Sequence, residues 1–293
     1  MRSIFSPAGD NISRQTSLLQ GLLDGVFAVL YPTRCALCGQ ELASDVTCRI
    51  CRTCWASLEP WSGPLCIRCG LPFVSPRVRD SATPLCGPCR ESEPVFDTAR
   101  SFGLYTGKLR RAILLLKFGR RRRLGKRLGE LLADTWNSVK ELPALTSPVF
   151  VPVPLHVSRR RERGFNQAEL LASGLLDALR RGRSKVKVPV VRSSLVRTRA
   201  TPPQTGLTLA ARLENPRGAF DVVEPAQVRE RTVVLIDDVM TTGATLSACA
   251  RALKRAGAAQ VIALTLARAA PEFPDIVPVE SDIPVDGADH DWT

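Results

Sequence analysis

Aromatic residues make up only 5% of this 293-residue chain, and they recur in no repeated series. A platform that stacks successive nucleic-acid bases is therefore not expected. Long apolar runs are missing too. The most apolar early stretch, Leu18 to Leu30, is interrupted by Asp24 and two glycines and is too short to cross a bilayer. It carries no small-residue cleavage site, which argues against a secretory signal, and no membrane insertion is expected. Acids are scarce: 28 Asp+Glu stand against 41 Lys+Arg, a formal net charge of +13. Seven of those acids fall between Pro271 and Thr293, where Lys and Arg are absent. The other 21 acids therefore face all 41 bases over the first 270 residues, a balance of +20. Such a balance favours polyanionic partners. The acidic tail has no hydrophobic period and reads as disordered.

What is abundant is cysteine, and it is concentrated. Nine of the ten cysteines lie between Cys35 and Cys89. Cys35-x2-Cys38 is followed after 12 residues by Cys51-x2-Cys54, and Cys66-x2-Cys69 after 16 residues by Cys86-x2-Cys89. Without an export signal, this spacing points to metal rather than to disulfides. Each pair makes a tight knuckle with both sulfurs facing one point, and two knuckles complete a tetrahedral thiolate site for zinc. Two closed, structural Zn2+ sites are expected, supplying folding free energy to segments with too little core of their own. Cys48 sits three residues before Cys51, so Cys48 and Cys51 could stand in for Cys51 and Cys54; the later pair gives the more usual loop length.

From about Phe96 the pattern changes to alternating strands and helices. Lys108 to Trp136 reads as helical with a basic interruption at 120–123. Val149 to Val153 is a short apolar strand, and 166–181 is an amphipathic helix with Leu170, Leu171, Leu175, Leu176 and Leu179 at helical spacing. Val186 to Val191 is a further strand candidate and Thr208 to Leu213 a short helix. Thr232 to Ile236 and Val261 to Leu266 are strands on either side of a helix beginning near Leu246. This alternation predicts a parallel sheet covered on both faces, with ligands at the carboxyl ends of its strands. The expected organisation is a helical lead-in over 1–30, a double zinc ribbon over 31–95, an α/β domain over 96–270 and a disordered acidic tail over 271–293.

The most telling segment is Val233-Val-Leu-Ile-Asp237-Asp238-Val-Met-Thr241-Thr242-Gly243-Ala244-Thr245. A strand ends in two acids, and a loop of small hydroxylated residues opens a helix. Successive N–H groups at a helix N-terminus make an anion site, and Gly243 permits the backbone turn that aims them inward. Lysine does not follow the glycine, which argues against a Walker-type nucleotide loop. Two carboxylates beside a phosphate make sense if they accept hydrogen bonds from sugar hydroxyls, with a divalent cation offsetting their charge.

This segment resembles the signature loop of type I phosphoribosyltransferases, which bind phosphoribosyl pyrophosphate (PRPP). Further motifs, Lys117-Phe-Gly, Val151-Pro-Val-Pro-Leu-His156, Arg163-Gly-Phe-Asn-Gln167, Arg197-x-Arg-x-Thr-x-x-Gln204-Thr and Asn215-Pro-x-Gly-Ala-Phe220, resemble the ComF family, as do the cysteine knuckles before them. The resemblance spans about residues 18–270; Cys48 and the acidic tail fall outside it. It implies a type I phosphoribosyltransferase-like parallel sheet flanked by helices, preceded by a small Cys-rich zinc-ribbon region. It also implies a bacterial cytoplasmic protein linked to competence, aiding incoming single-stranded DNA together with the competence machinery. On that pattern Asp237 and Asp238 hold the ribose, Thr241, Thr242, Gly243, Ala244 and Thr245 hold its phosphate, and Mg2+ bridges ribose and pyrophosphate. His156, Arg159 and Arg160 fall where pyrophosphate binds, and fixed cations there would stabilise the charge developing on it. Arg199 and Gln204 lie in a polar, Pro-containing segment, Arg197 to Leu207, that could act as a lid. Asn166 is read as a helix cap, and Lys117 as an amphipathic stem reaching solvent in preference to a phosphate ligand.

Three functions stay open. The chain is an active phosphoribosyltransferase, with no evident general base and an unknown acceptor; a PRPP- and DNA-binding competence protein that does little chemistry; or a structural adaptor. The ten Lys and Arg between Lys108 and Arg127, and five more between Arg180 and Lys187, offer either a phosphate-binding surface or a solvated helix face.

Overall fold

The computed structural model describes residues 34–42, 48–73, 83–119, 121–138, 148–182, 190–191, 194–200 and 216–270. The lead-in over 1–30, the tail over 271–293, the helix at 208–213 and Gln204 lie outside the described residues. The chain forms two compact units, 1–58 and 59–293.

In the first unit, Arg34 and Glu41 bridge around the Cys35–Cys38 knuckle, and helix α1 (Arg52–Ala56) follows the second knuckle with Cys51 as its N-cap. Among its described residues, Leu37 and Ile50 are fully buried beside the cysteines. So small a set of apolar side chains suits a fold that a bound metal supports.

The second unit carries a five-stranded sheet in the order β1-β7-β6-β2-β3. Its strands are β1 (Thr98–Leu104), β2 (Val149–Pro152), β3 (Val190–Val191), β6 (Thr232–Met240) and β7 (Gln260–Arg268), and every neighbouring pair is parallel. A separate antiparallel pair, β4 (Leu195–Arg197) and β5 (Phe220–Val222), stands beside it. The helices are α2 (Gly87–Glu91), α3 (Gly107–Phe118), α4 (Arg122–Ser138), α5 (Val157–Arg163), α6 (Gln167–Arg181) and α7 (Ala244–Arg255). Parallel strands buried on both faces read as continuous apolar runs, and β6 does so from Val233 to Ile236.

The strand period of two sorts these side chains into layers. Val233 and Leu235 share a core with Leu246, Cys249 and Leu253 of α7. Val234 and Ile236 face the opposite layer, where α4 and α6 pack. There Trp136 of α4 meets Phe150 of β2 edge to face at 5.2 Å. The two helices approach closely because Gly129 and Gly174 lack side chains; a Cβ on Gly174 would lie 1.9 Å from the Lys126 carbonyl. Among the described residues no helix is long and apolar enough to cross a membrane.

The second cysteine quartet belongs to this unit. Cys66, Cys69, Cys86 and Cys89 share a buried core with Phe96, Ala99, Met240 and Leu246. The knuckle backbone runs along β1: Ala99 N–H donates to the Arg68 carbonyl at 2.8 Å, and Thr98 Oγ1 donates to the Ile67 carbonyl at 3.0 Å. Gly70 (φ +64°) fits here because a Cβ would stand 2.7 Å from the Ala99 carbonyl oxygen.

Candidate sugar-phosphate site and zinc centres

β6 is longer than the sequence pattern predicts. The apolar run ends at Ile236, yet pairing with β7 continues through Asp237↔Thr265, Val239↔Ala267 and Met240↔Arg268. The two acids are therefore held inside a strand rather than on a free turn, and successive strand residues point to opposite sides. Asp238 is buried, 4% exposed, and Asp237 is half-buried.

Lys117 enters from the last turn of α3, its Nζ 2.8 Å from Asp238 Oδ1. This corrects the expectation of a stem reaching solvent. The helix places Lys117 on the side of the buried Ile113 and Leu116, and the buried carboxylate is the partner that makes its charge tolerable there. Burial opposes that charge, but Asp238 outweighs it and holds the ammonium above the ordinary lysine pKa. Asp238 Oδ2 is buried and has no hydrogen-bond partner, an open acceptor in a largely satisfied interior. Burial, reinforced by the neighbouring Asp238 charge, raises Asp237 to about 7, against the pull of its bond from Asp238 N–H and of Lys117 and Arg197. Sequence reasoning points to no general base.

After Met240 the chain turns. Gly243 is left-handed at φ +79° and caps α7, while Thr242 Oγ1 accepts from Ala244 N–H at 3.3 Å. A Cβ on Gly243 would meet Met240 Cε at 2.8 Å and Phe96 at 3.4 Å. Thr241 is exposed, Thr242 and Thr245 are half-buried, and Ala244 is buried. The acids and the turn thus lie together at the carboxyl end of one strand.

The remaining predicted residues take varied positions. His156 caps α5, its Nδ1 lying 3.3 Å from Ser158 N and 2.8 Å from Ser158 Oγ. Arg160 pairs with Glu169 at 3.3 Å. Arg199 donates to the Arg217 carbonyl at 2.9 Å. Asn166 caps α6 by accepting from Ala168 N–H and also donates to the Val153 carbonyl at 3.0 Å, tying the chain after β2 to α6.

Arg197 was expected in a lid but lies in strand β4, its guanidinium 5.3 Å from the centre of the Phe220 ring. Burial lowers its pKa, as do the charges of Arg159 and Arg199, while Cys249 and Asp237 act the other way. The sequence singled out neither Arg197 nor Arg268 as a site residue. The signal for Arg268 was its position, a lone charge ending the run Val261 to Ala267.

The two quartets suit zinc. Cys35, Cys38, Cys51 and Cys54 form one cluster, and Cys66, Cys69, Cys86 and Cys89 the other, with the sulfurs of each within 4.8 Å of one another. Cys48 is outside the first cluster. Sulfurs of Cys38 and Cys51 are 3.7 Å apart, and those of Cys69 and Cys86 3.5 Å. Tetrahedral zinc with bonds of about 2.3 Å sets sulfurs roughly 3.8 Å apart. Backbone N–H groups of Leu37 and Cys51 point at Cys35 Sγ, and Cys86 N–H at Cys66 Sγ, the outer-shell support that thiolate ligands take.

A double zinc ribbon domain matches residues 26–90, and a phosphoribosyl transferase domain matches residues 162–283. The DNA utilization protein YhgH of Salmonella typhimurium is 32% identical over 238 residues, 81% of this chain and 97% of that protein. The chain belongs to the ComF family. Competence protein F of Haemophilus influenzae is 30% identical over 75% of this chain and 90% of its own length. Competence protein ComFC of Bacillus subtilis is 28% identical over 80% and 94% respectively. Among solved structures, the glutamine PRPP amidotransferase of B. subtilis matches 48% of this chain and 25% of its own at 21% identity, with a TM-score of 0.31. The phosphoribosyltransferase-like fold of this ComF chain rests on the domain match and the parallel sheet, not on that superposition.

Proposed function

We propose that this protein binds PRPP with Mg2+ at the carboxyl end of β6 and transfers the phosphoribosyl group to an acceptor. The observation that carries this reading is the unpartnered, buried Oδ2 of Asp238 beside Asp237, on the strand that leads into the Gly243 turn. Asp237 and Asp238 accept hydrogen bonds from the ribose hydroxyls. The N–H groups and hydroxyls of 241–245 hold the 5′-phosphate at the start of α7. In this reading Arg159 meets the departing pyrophosphate. Mg2+, when bound with the ligand, neutralises pyrophosphate charge.

Transfer breaks the bond from the anomeric carbon to pyrophosphate through an oxocarbenium-like state and forms one to the acceptor. The acceptor's proton passes to Asp237, whose raised pKa suits it to take a proton at neutral pH. The relatives' names, DNA utilization protein and competence protein, support a role in DNA uptake, and single-stranded DNA and competence proteins are the proposed partners in the cytoplasm.

The second reading is a DNA-binding adaptor without turnover. The basic surface of α4 and α6 supports it only in part. Lys126 and Arg180 face Asp177, and Arg127 and Arg181 face Glu130, so acids already meet four of these cations.

Calorimetry with PRPP and Mg2+ tests binding. Wild type is expected to give a saturable heat that Asp237→Asn/Asp238→Asn loses; equal heats for the two proteins refute the assignment. Incubating the protein with labelled PRPP and a metabolite pool, followed by mass spectrometry, separates transfer from binding alone.

A further inference from the structure

Helix α3 turns one apolar stripe inward, formed by Leu109, Ala112, Ile113 and Leu116. Lys117 follows that stripe and reaches Asp238. The next residue, Phe118, leaves it. Phe118 is 65% exposed, the most of any large apolar residue among those described. A lone exposed apolar side chain is ordinary; the surroundings of this one are not. The Arg163 guanidinium, at the end of α5, lies 5.6 Å from the centre of the Phe118 ring, within cation–π range. A 3.0 Å bond to Gln167 Oε1 holds it there. Phe165, two residues on, is buried, and Arg122 at the start of α4 lies 6.0 Å from its ring centre. The end of α3, the start of α4 and the segment from α5 to α6 therefore meet in one seam, with an open phenyl ring and two guanidinium groups.

Charge at this seam is not neutralised. Among the described residues Arg122 and Arg163 form no ion pair, nor do their chain neighbours Arg123 and Arg161; Glu162, the acid beside Arg161 and Arg163, pairs with neither. The outer face of α4 and α6 differs, since acids there already meet Lys126, Arg127, Arg180 and Arg181. Unopposed guanidinium groups recruit phosphates, and an exposed ring beside them offers a face to an unpaired base. A duplex hides its base faces, so the combination selects a single strand. One ring serves one base, in keeping with a sequence that has no aromatic series.

We propose that single-stranded DNA docks on this seam, with one base stacked on Phe118 and its flanking phosphates on Arg122 and Arg163. The docking rests on the reading above that single-stranded DNA is a partner, and it adds the place. Phe118 follows Lys117, whose ammonium joins Asp238, so the strand runs at the rim of the acids assigned to the ribose.

Fluorescence anisotropy of the full-length protein with a labelled oligothymidylate tests this. Phe118→Ala should weaken binding roughly tenfold and leave the salt slope as in wild type, while Phe118→Trp restores affinity. An oligonucleotide of abasic sites keeps the phosphates without the bases, and wild type and Phe118→Ala should bind it alike. Arg122→Gln/Arg163→Gln should flatten the slope of log affinity against log salt by about 1.4, the share of two single-strand phosphate contacts. Lys126→Gln/Arg180→Gln, on the neutralised face, should bind as wild type does. Equal affinity of wild type and Phe118→Ala for the oligothymidylate overturns the proposal and leaves the DNA partnership standing. No binding by wild type at about 50 mM salt overturns both. PRPP calorimetry answers separately for the sugar-phosphate site.

Discussion

The ammonium of Lys117 lies 2.8 Å from a carboxylate oxygen of Asp238, with only 19% and 5% of the two side chains exposed. The pair joins the end of α3 to the end of β6 and neutralises one of two adjacent acids. Lys117→Met leaves that carboxylate buried without its cation. Losing one partner of a buried pair costs about 3–5 kcal/mol, so urea unfolding should show a loss of about 3 kcal/mol. The lysine pKa is raised in the fold, so this contribution is complete below the ordinary lysine range and fades only as pH rises through the higher folded value. The gap between wild type and Lys117→Met should therefore hold from pH 6 to pH 9. A loss under about 1 kcal/mol, the value of an exposed pair, would show that the ion pair is not maintained in solution.

Asp237 gives a pH dependence of the other kind. Its carboxyl is raised from 3.8 to about 7, so between those values the folded chain holds a proton that the unfolded chain releases. Its stabilising effect is full below 3.8 and is lost as pH climbs through about 7. Asp237→Asn removes that slope. Its melting temperature should pass that of wild type by a few °C at pH 8, the shift expected for about 1–2 kcal/mol in a domain of this size. The gap should shrink toward pH 5. Melting curves that stay parallel across this range would place the Asp237 carboxyl in its ordinary titration range.

Asn166 is buried and does two jobs, capping α6 and donating to the Val153 carbonyl. Asn166→Ala leaves a helix N–H and a strand-end carbonyl without partners. Denaturant unfolding should show a loss of about 2 kcal/mol, at the upper end for a cap.

Metal analysis separates the cysteines. The wild-type chain should hold two zinc ions. Cys48→Ser should keep both, because Cys48 lies outside the first cluster, whereas Cys54→Ser should retain one tightly bound ion. The reverse result would exchange the roles of Cys48 and Cys54.

Gly243→Ala asks an L residue to hold φ +79° and sets a Cβ 2.8 Å from Met240 Cε. Strain of this kind costs about 1–3 kcal/mol, and the turn must shift to relieve it. Loss of PRPP heat with modest loss of stability is expected. Unchanged binding would move the phosphate site away from this turn.

Local signals carried much of this architecture. Four CxxC pairs gave both clusters because a knuckle is defined by spacing alone. The helix at 167–181 showed its 3.6 period, and β2, β6 and β7 showed their apolar runs. The end of β6 lies beyond the apolar run because its ladder with β7 continues under Asp237 and Asp238, and pairing with a neighbour is invisible in one chain segment. Lys117 was misjudged for a similar reason. Its partner lies 121 positions away in the sequence, and an amphipathic pattern cannot tell a lysine that finds a buried carboxylate from one that finds water. Arg197 and Arg268 lie at strand ends, where a cation reads as surface until the fold brings the Phe220 ring to the one and the Met240 and Thr241 carbonyls to the other.

The hydrogen bonds from β1 to the second knuckle have a consequence beyond the site. β1 is the outermost strand of a parallel sheet, and its outer N–H at Ala99 is occupied by the carbonyl of Arg68. An uncovered strand at that border would be a template for joining another molecule. The knuckle covers part of that border, so zinc-stripped chain is expected to self-associate before it unfolds, which light scattering during chelation checks.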